Sequence, residues 1–231
     1  MTPELLTPES LATELLTPEA LAGAALAFGL WMAWGALHSV TAAPWFKAAC
    51  ARLLGPRAYA LYPLAYSVVS LGTFSLAFRL EPDLPQQVWA VHGFLALLMH
   101  GLQLAGLGLL VWAGMSMHAF RMFGLPQLMA VLRGRPPDAP DLRRDFTSSG
   151  AYALVRHPMH LGGMLLLLFQ PRLSLGGFVF ALFGCLYMVA GSLLEERRLA
   201  RELGPVWADY VRRVPMLLPG FPPGARGRGN R

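Results

Sequence analysis

The chain has 231 residues, 55% hydrophobic and only 14% charged, with a mean hydropathy of +0.46; soluble domains carry about 25% charged residues. These figures exclude an ordinary soluble domain and a disordered chain, and 24 glycines without a three-residue period exclude collagen. The expected class is an all-α integral membrane protein, in which the net charge of +6 matters through its placement. Cys50 and Cys185 have no CxxC or Cys/His spacing and read as packing residues.

The N-terminal stretch repeats itself, LLTPESLA at Leu5 to Ala12 and LLTPEALA at Leu15 to Ala22. The first copy reads as a short interfacial helix or frayed extension; the absence of Lys and Arg there argues against a signal peptide. The first apolar segment runs from about Ala20 to Ala43, with Thr17 placed to cap, Pro18 at the first helical position and Glu19 facing the positive end of the helix dipole. It is long enough to cross a hydrocarbon core of roughly 30 Å and ends at Pro44. The second spans about Ala58 to Phe78 and contains Pro63, a candidate kink. The third, about Val88 to Met117, carries His92, His100 and small residues at Gly101, Ala105, Gly106 and Gly108, which let helices approach closely.

A polar stretch from Arg121 to Arg156 follows, ending in RHP. The apolar run Leu161 to Phe169 is too short to span alone, even extended upstream through Pro158. It reads as one arm of a tight helical hairpin whose second arm, Leu173 to Leu194, continues into EERRLARE. The expectation is therefore about five transmembrane helices, the last two forming the hairpin, and a cytoplasmic C-terminal segment. With the N-terminus outside, 17 of the 19 Lys and Arg residues fall on the cytoplasmic side and only Arg79 and Arg172 outside, which fixes the orientation in a bacterial inner membrane. Residues 1–17 form an extension, 18–219 a single transmembrane domain and 220–231 a disordered basic tail.

Polar chemistry gathers near the membrane boundaries. In YALVRHPMHLGG, from Tyr152 to Gly163, Pro158 starts a helix and leaves Arg156 and His157 at its N-terminus, either as an anion-binding corner or as a cytoplasmic anchor. Glu195 and Glu196 follow 22 apolar residues, where adjacent carboxylates repel each other and oppose the helix dipole. They need a cation, either Arg197, Arg198 and Arg201 in the same helix or a ligand ammonium. His157 and His160 lie three apart, but no further ligands stand at metal-site spacing, so no metal is expected. His38, His92, His100 and His118 lie near or inside apolar helices, as functional candidates or as satisfied packing residues. Walker, Rossmann and GxSxG patterns are missing. An anion corner facing a carboxylate pair matches the charge pattern of an amino-acid moiety.

The run GAYALVRHPMHLGG, followed by LLEERRLARELGPVWADYVRRVPMLLP, resembles the C-terminal signature of the membrane-embedded methyltransferases. That group includes isoprenylcysteine carboxyl methyltransferase, phospholipid N-methyltransferases and NnrU-like proteins. FGLPQL, LRGRP and VPMLLP are most similar to the methanethiol S-methyltransferases. The resemblance implies a methyltransferase-like domain with S-adenosylmethionine as cofactor, held by Tyr152, Arg156, His157, Gly162, Glu195, Glu196, Trp207, Tyr210 and Arg213. A Glu would take the methionyl ammonium and Arg156 its carboxylate. Three positions depart from the family pattern: His160 and Trp207 stand where Tyr is usual, and His118-Ala119-Phe120-Arg121 precedes FGL.

The implied reaction is methyl transfer to a small thiol, methanethiol to dimethyl sulfide, at a cytoplasm-facing membrane site, with His160 or His157 as candidate catalytic base. The alternatives are methylation of a prenylcysteine carboxylate or lipid amine, and a non-enzymatic NnrU-like membrane protein. Expected partners are a small or lipophilic acceptor, reaching the site laterally if apolar, and membrane lipids. The Arg-Gly tail has no aromatic stacking partners and reads as a lipid-headgroup contact, with no nucleic acid expected.

Overall fold

The computed structural model describes residues 14–117, 123–135 and 146–220. The first TPE copy, the His118-Ala119-Phe120-Arg121 positions and the basic tail beyond Gly220 lie outside the described residues. Helix α1, Pro18–Ala42, starts as its sequence dictates: Thr17 has extended backbone and its hydroxyl accepts the Ala20 N–H at 3.2 Å. Extended backbone at Ala43 ends it before Pro44.

After Pro44 the chain forms a second helix, α2, Pro44–Tyr59, broken at Gly55, whose φ of 73° suits glycine. Helix α3 is Tyr62–Leu80, with Pro63 in its first turn, where the missing N–H has no partner to lose. The kink expected at Pro63 is therefore absent. Residues Gln87–Ala90 of the third apolar segment form strand β1 rather than helix, and α4 is Gly93–Ser116. A short helix, α5, covers Leu125–Leu132 and is followed, after the undescribed stretch, by a 3-10 turn at Gly150–Ala153. Helix α6 is Pro158–Leu168, β2 is Arg172–Ser174, α7 is Leu175–Leu203 and α8 is Pro205–Arg213.

Among the described residues, α1, α3, α4 and α7 are long and apolar enough to cross a membrane. Helix α6, with 11 residues, is only about 16 Å long. The chain is mainly helical, and the all-α expectation needs one correction. Strands β1 and β2 pair antiparallel, Trp89 opposite Leu173 and Ala90 opposite Arg172. Their connecting loops share carbonyls and amides that helices at this end leave free, Val91 N–H donating to Pro171 O and Leu175 N–H to Gln86 O, both at 2.7 Å.

Packing follows the small residues. A Cβ on Gly106 of α4 would stand 2.7 Å from the Gly162 carbonyl oxygen of α6, so the two backbones are in direct contact. Helices α6 and α7 meet through His160 with Ser192, Gly163 with Met188 and Leu167 with Gly184, pairs that run in opposite chain directions. Helix α1 lies on α7, with Gly35 under Phe183 and Tyr187. Trp31, fully buried, centres an aromatic cluster with Phe74, Phe180 and Phe183, and its indole N–H donates to Glu81 at 3.2 Å. Outward-facing Phe78, Leu97, Leu104 and Val111 leave the opposite faces of α3 and α4 apolar, as lipid-facing surface requires.

Candidate active site

Pro158 opens α6 and holds His157 outside helical geometry, at φ −122° and ψ 64°. The local chain also crosses the segment after α8: Arg156 N–H donates to Pro215 O at 2.8 Å and His157 N–H to Met216 O at 3.1 Å. Arg156 is consequently 8% exposed. Its Nε and Nη2 each lie 2.7 Å from Glu196 Oε1, and Nη1 donates to Val214 O at 2.8 Å. Its ring-facing side lies over Trp207, 6.0 Å from the centroid. The guanidinium thus locks α8 and the chain after it onto α7. Most of its donors therefore have partners inside the protein, while the residue also lines a cavity.

His157 sits between the tandem acids, Nε2 at 3.3 Å from Glu196 Oε1 and Nδ1 at 3.6 Å from Glu195 Oε2. Burial opposes its charge, but the two carboxylates outweigh burial and raise its pKa above the ordinary value. An imidazolium here relieves the repulsion between Glu195 and Glu196. Both ring nitrogens are directed at carboxylates, which makes His157 a bridge between the tandem acids.

His160 is stacked on it, ring centroids 5.5 Å apart. Ser192 Oγ lies 2.6 Å from His160 Nδ1 and 2.9 Å from Met188 O. With the hydroxyl turned to Met188 O, the ring proton sits on Nδ1 and Nε2 keeps a lone pair, the tautomer a general base needs.

These groups line one end of a cavity of about 790 Å³. Glu195, Arg156, His157, His160, Tyr152, Trp207 and Tyr210 all reach it. Tyr210 is 2% exposed and its hydroxyl donates to Tyr152 O at 2.6 Å; burial raises the pKa of both phenols, keeping them neutral donors. Gly162, Glu196 and Arg213 do not line it. Gly162 is the α4 contact, Glu196 belongs to the Arg156 lock, and exposed Arg213 pairs with Asp209 at 2.8 Å. The half-buried Glu195 carboxylate keeps acceptor capacity, since its Arg198 neighbour is at 3.9 Å.

At the other end, where Tyr66, Ser70 and Phe74 of α3 face Trp34 and His38 of α1, sequence reasoning singled out His38 and none of its neighbours. The signal was present, because Tyr62, Tyr66, Ser70 and Phe74 recur every four residues on one face of an apolar helix.

Fold and site define a membrane-embedded helical protein with an acid–imidazole cluster closing one end of a long cavity. A family model described as NnrU protein matches residues 25–168, and the chain belongs to that family. It is 34% identical over 188 residues, 79% of this chain and 68% of the relative, to methanethiol S-methyltransferase 2 of Bradyrhizobium diazoefficiens. It is 32% identical to methanethiol S-methyltransferase of Pseudomonas deceptionensis, over 80% of this chain and 68% of that one. The Mycobacterium tuberculosis methanethiol S-methyltransferase is 31% identical, over 79% and 72%. No solved structure matches the chain.

Proposed function

We propose that the protein is an S-adenosylmethionine-dependent methyltransferase that converts methanethiol to dimethyl sulfide at a cytoplasm-facing site in the membrane. The observation that carries this reading is one cavity joining the acceptor capacity of Glu195, the imidazole of His160 and the aromatic walls of Tyr152, Trp207 and Tyr210. That donor set fits the cofactor: Glu195 for its ammonium, aromatic faces for its adenine and sulfonium. When bound, the cofactor would supply an electrophilic methyl on a sulfonium, with S-adenosylhomocysteine as its product.

The protein's own part begins with His160. Its Nε2 takes the thiol proton, leaving the sulfur electron pair free to bond the methyl carbon, and Ser192 holds the tautomer throughout. His157 keeps its own proton and fixes Glu195 toward the cavity. Arg156 and Glu196 hold α8, and with it Trp207 and Tyr210, as the wall that excludes water.

The topology supporting this has the N-terminus outside and α6 with α7 inserted as a hairpin. The β1–β2 end then faces outward, and the acid–imidazole cluster lies at the cytoplasmic end with most of the basic residues. Calorimetric titration of the solubilised protein with S-adenosylhomocysteine, together with headspace detection of dimethyl sulfide from cells fed methanethiol, tests the reading. Micromolar binding and dimethyl sulfide above the vector control are expected. Lack of binding refutes the cofactor, and binding without dimethyl sulfide refutes the acceptor.

A further inference from the structure

The cavity continues past the acid–imidazole end where the cofactor is proposed to sit. Its volume of about 790 Å³ has to hold that cofactor as well as the acceptor, so the far end is the part left to the acceptor, and methanethiol would place only two heavy atoms there. Away from Glu195 it is walled by Trp34, His38, Tyr66, Ser70, Leu71 and Phe74. Phe74 lies twelve residues from the start of α3, about 18 Å along the helix, so this chamber reaches far into the level of the spanning helices.

The wall's polar groups are satisfied within it. His38 Nδ1 bonds Ser70 Oγ at 3.0 Å and its Nε2 bonds the Tyr66 hydroxyl at 2.7 Å. Trp34 Nε1–H donates to Ser70 O at 3.3 Å, and the indole stacks on His38 with centroids 5.1 Å apart. A wall so arranged offers ring faces and alkyl edges. It would leave a polar acceptor without partners and would lose no hydrogen bond to an apolar one. A two-atom thiol, by contrast, leaves these side chains without contacts on one side.

From this we infer that the chamber is an alkyl-binding subsite, so that the enzyme methylates apolar thiols with longer carbon chains and prefers them to methanethiol. The inference rests on the thiol reading above. The chemistry is unchanged: the thiol proton goes to His160, the acceptor sulfur bonds the methyl carbon, and the products are a methyl alkyl sulfide and S-adenosylhomocysteine.

The test uses the full chain in lipid nanodiscs, with S-adenosylhomocysteine formation followed for methanethiol, ethanethiol, propanethiol and butanethiol. 2-Mercaptoethanol serves as a polar match for propanethiol. The expected result is a rise in kcat/KM of about fourfold per methylene, carried by KM, and a preference of tenfold or more for propanethiol over 2-mercaptoethanol. Butyl methyl sulfide alone should also bind by calorimetry. Ser67 lines the chamber and its hydroxyl donates only to Pro63 O in its own helix; Ser67→Phe should weaken that binding and lower the butanethiol-to-methanethiol ratio tenfold. A flat or falling series in the wild type, with methanethiol still turned over, overturns the subsite and leaves the proposed function standing. Failure with every thiol overturns both.

Discussion

Glu195 and Glu196 are adjacent in sequence, and the structure separates their duties. Alanine at 196 would strand the Arg156 guanidinium, whose side chain is 7% exposed, without its carboxylate. At 2.7 Å and an effective dielectric near 20 the gross attraction is about 6 kcal/mol, much of it offset by desolvation. Breaking one side of such a pair costs ~3 kcal/mol. For a chain of this size that lowers the thermal midpoint by roughly 6 to 12 °C. Alanine at 195 removes a half-exposed carboxylate with neighbours at 3.6 and 3.9 Å, worth at most about 1 kcal/mol in stability. It also removes the proposed ammonium acceptor, a charge-assisted bond whose loss lowers S-adenosylhomocysteine affinity roughly ten- to hundredfold. Differential scanning fluorimetry and calorimetric titration of both variants measure the two quantities. The reasoning fails if Glu196→Ala melts with the wild type, or if Glu195→Ala binds S-adenosylhomocysteine as tightly as the wild type.

Three further predictions follow from neighbouring contacts. His157 has its pKa raised in the fold above 6.5, so its bridge contributes fully below about pH 6.5 and is lost as pH rises through the raised value. The difference in thermal midpoint between wild type and His157→Gln should therefore shrink with rising pH; a constant difference would contradict the bridge. His160→Gln should lower kcat with thiol acceptors by about a hundredfold with little change in S-adenosylhomocysteine affinity. Ser192→Ala should give a smaller loss in the same direction, and unchanged kcat in both variants would remove His160 from the chemistry. Finally, Gly106→Val drives a side chain into the Gly162 carbonyl, an overpacking that costs about 1–3 kcal/mol and should appear as a lower thermal midpoint.

Local signals carried much of this architecture. Thr17, Pro18 and Glu19 announce the start of α1, Pro158 that of α6, and the charge asymmetry suggests which loops share a side. Helix α2 was not legible, because Lys47, Arg52 and Gly55 look the same in a basic loop as in a short helix at a membrane surface. Strand β1 was hidden inside an apolar run too short to show its own period. At the site, the RHP corner and tandem Glu were readable as a constellation. Their internal pairing was not, because Arg156 is held partly by the carbonyl of Val214, and a backbone acceptor leaves no mark on residue type. For His38 the sequence left a functional and a packing reading side by side, because its partners Tyr66 and Ser70 lie on another helix.

The shortness of α6 has a consequence for how two dissimilar molecules can meet. One end hangs from the β1–β2 pair and the other stops at Pro158, about 16 Å away along the axis, whereas a bilayer interior is about 30 Å thick. In the proposed topology the polar segment bearing Arg156 and His157 would be drawn inward, leaving less apolar thickness to cross at this place. A water-soluble, charged methyl donor approaching from one side and an oil-soluble sulfur compound approaching from the other could then come into reaction distance while each remains in its own phase.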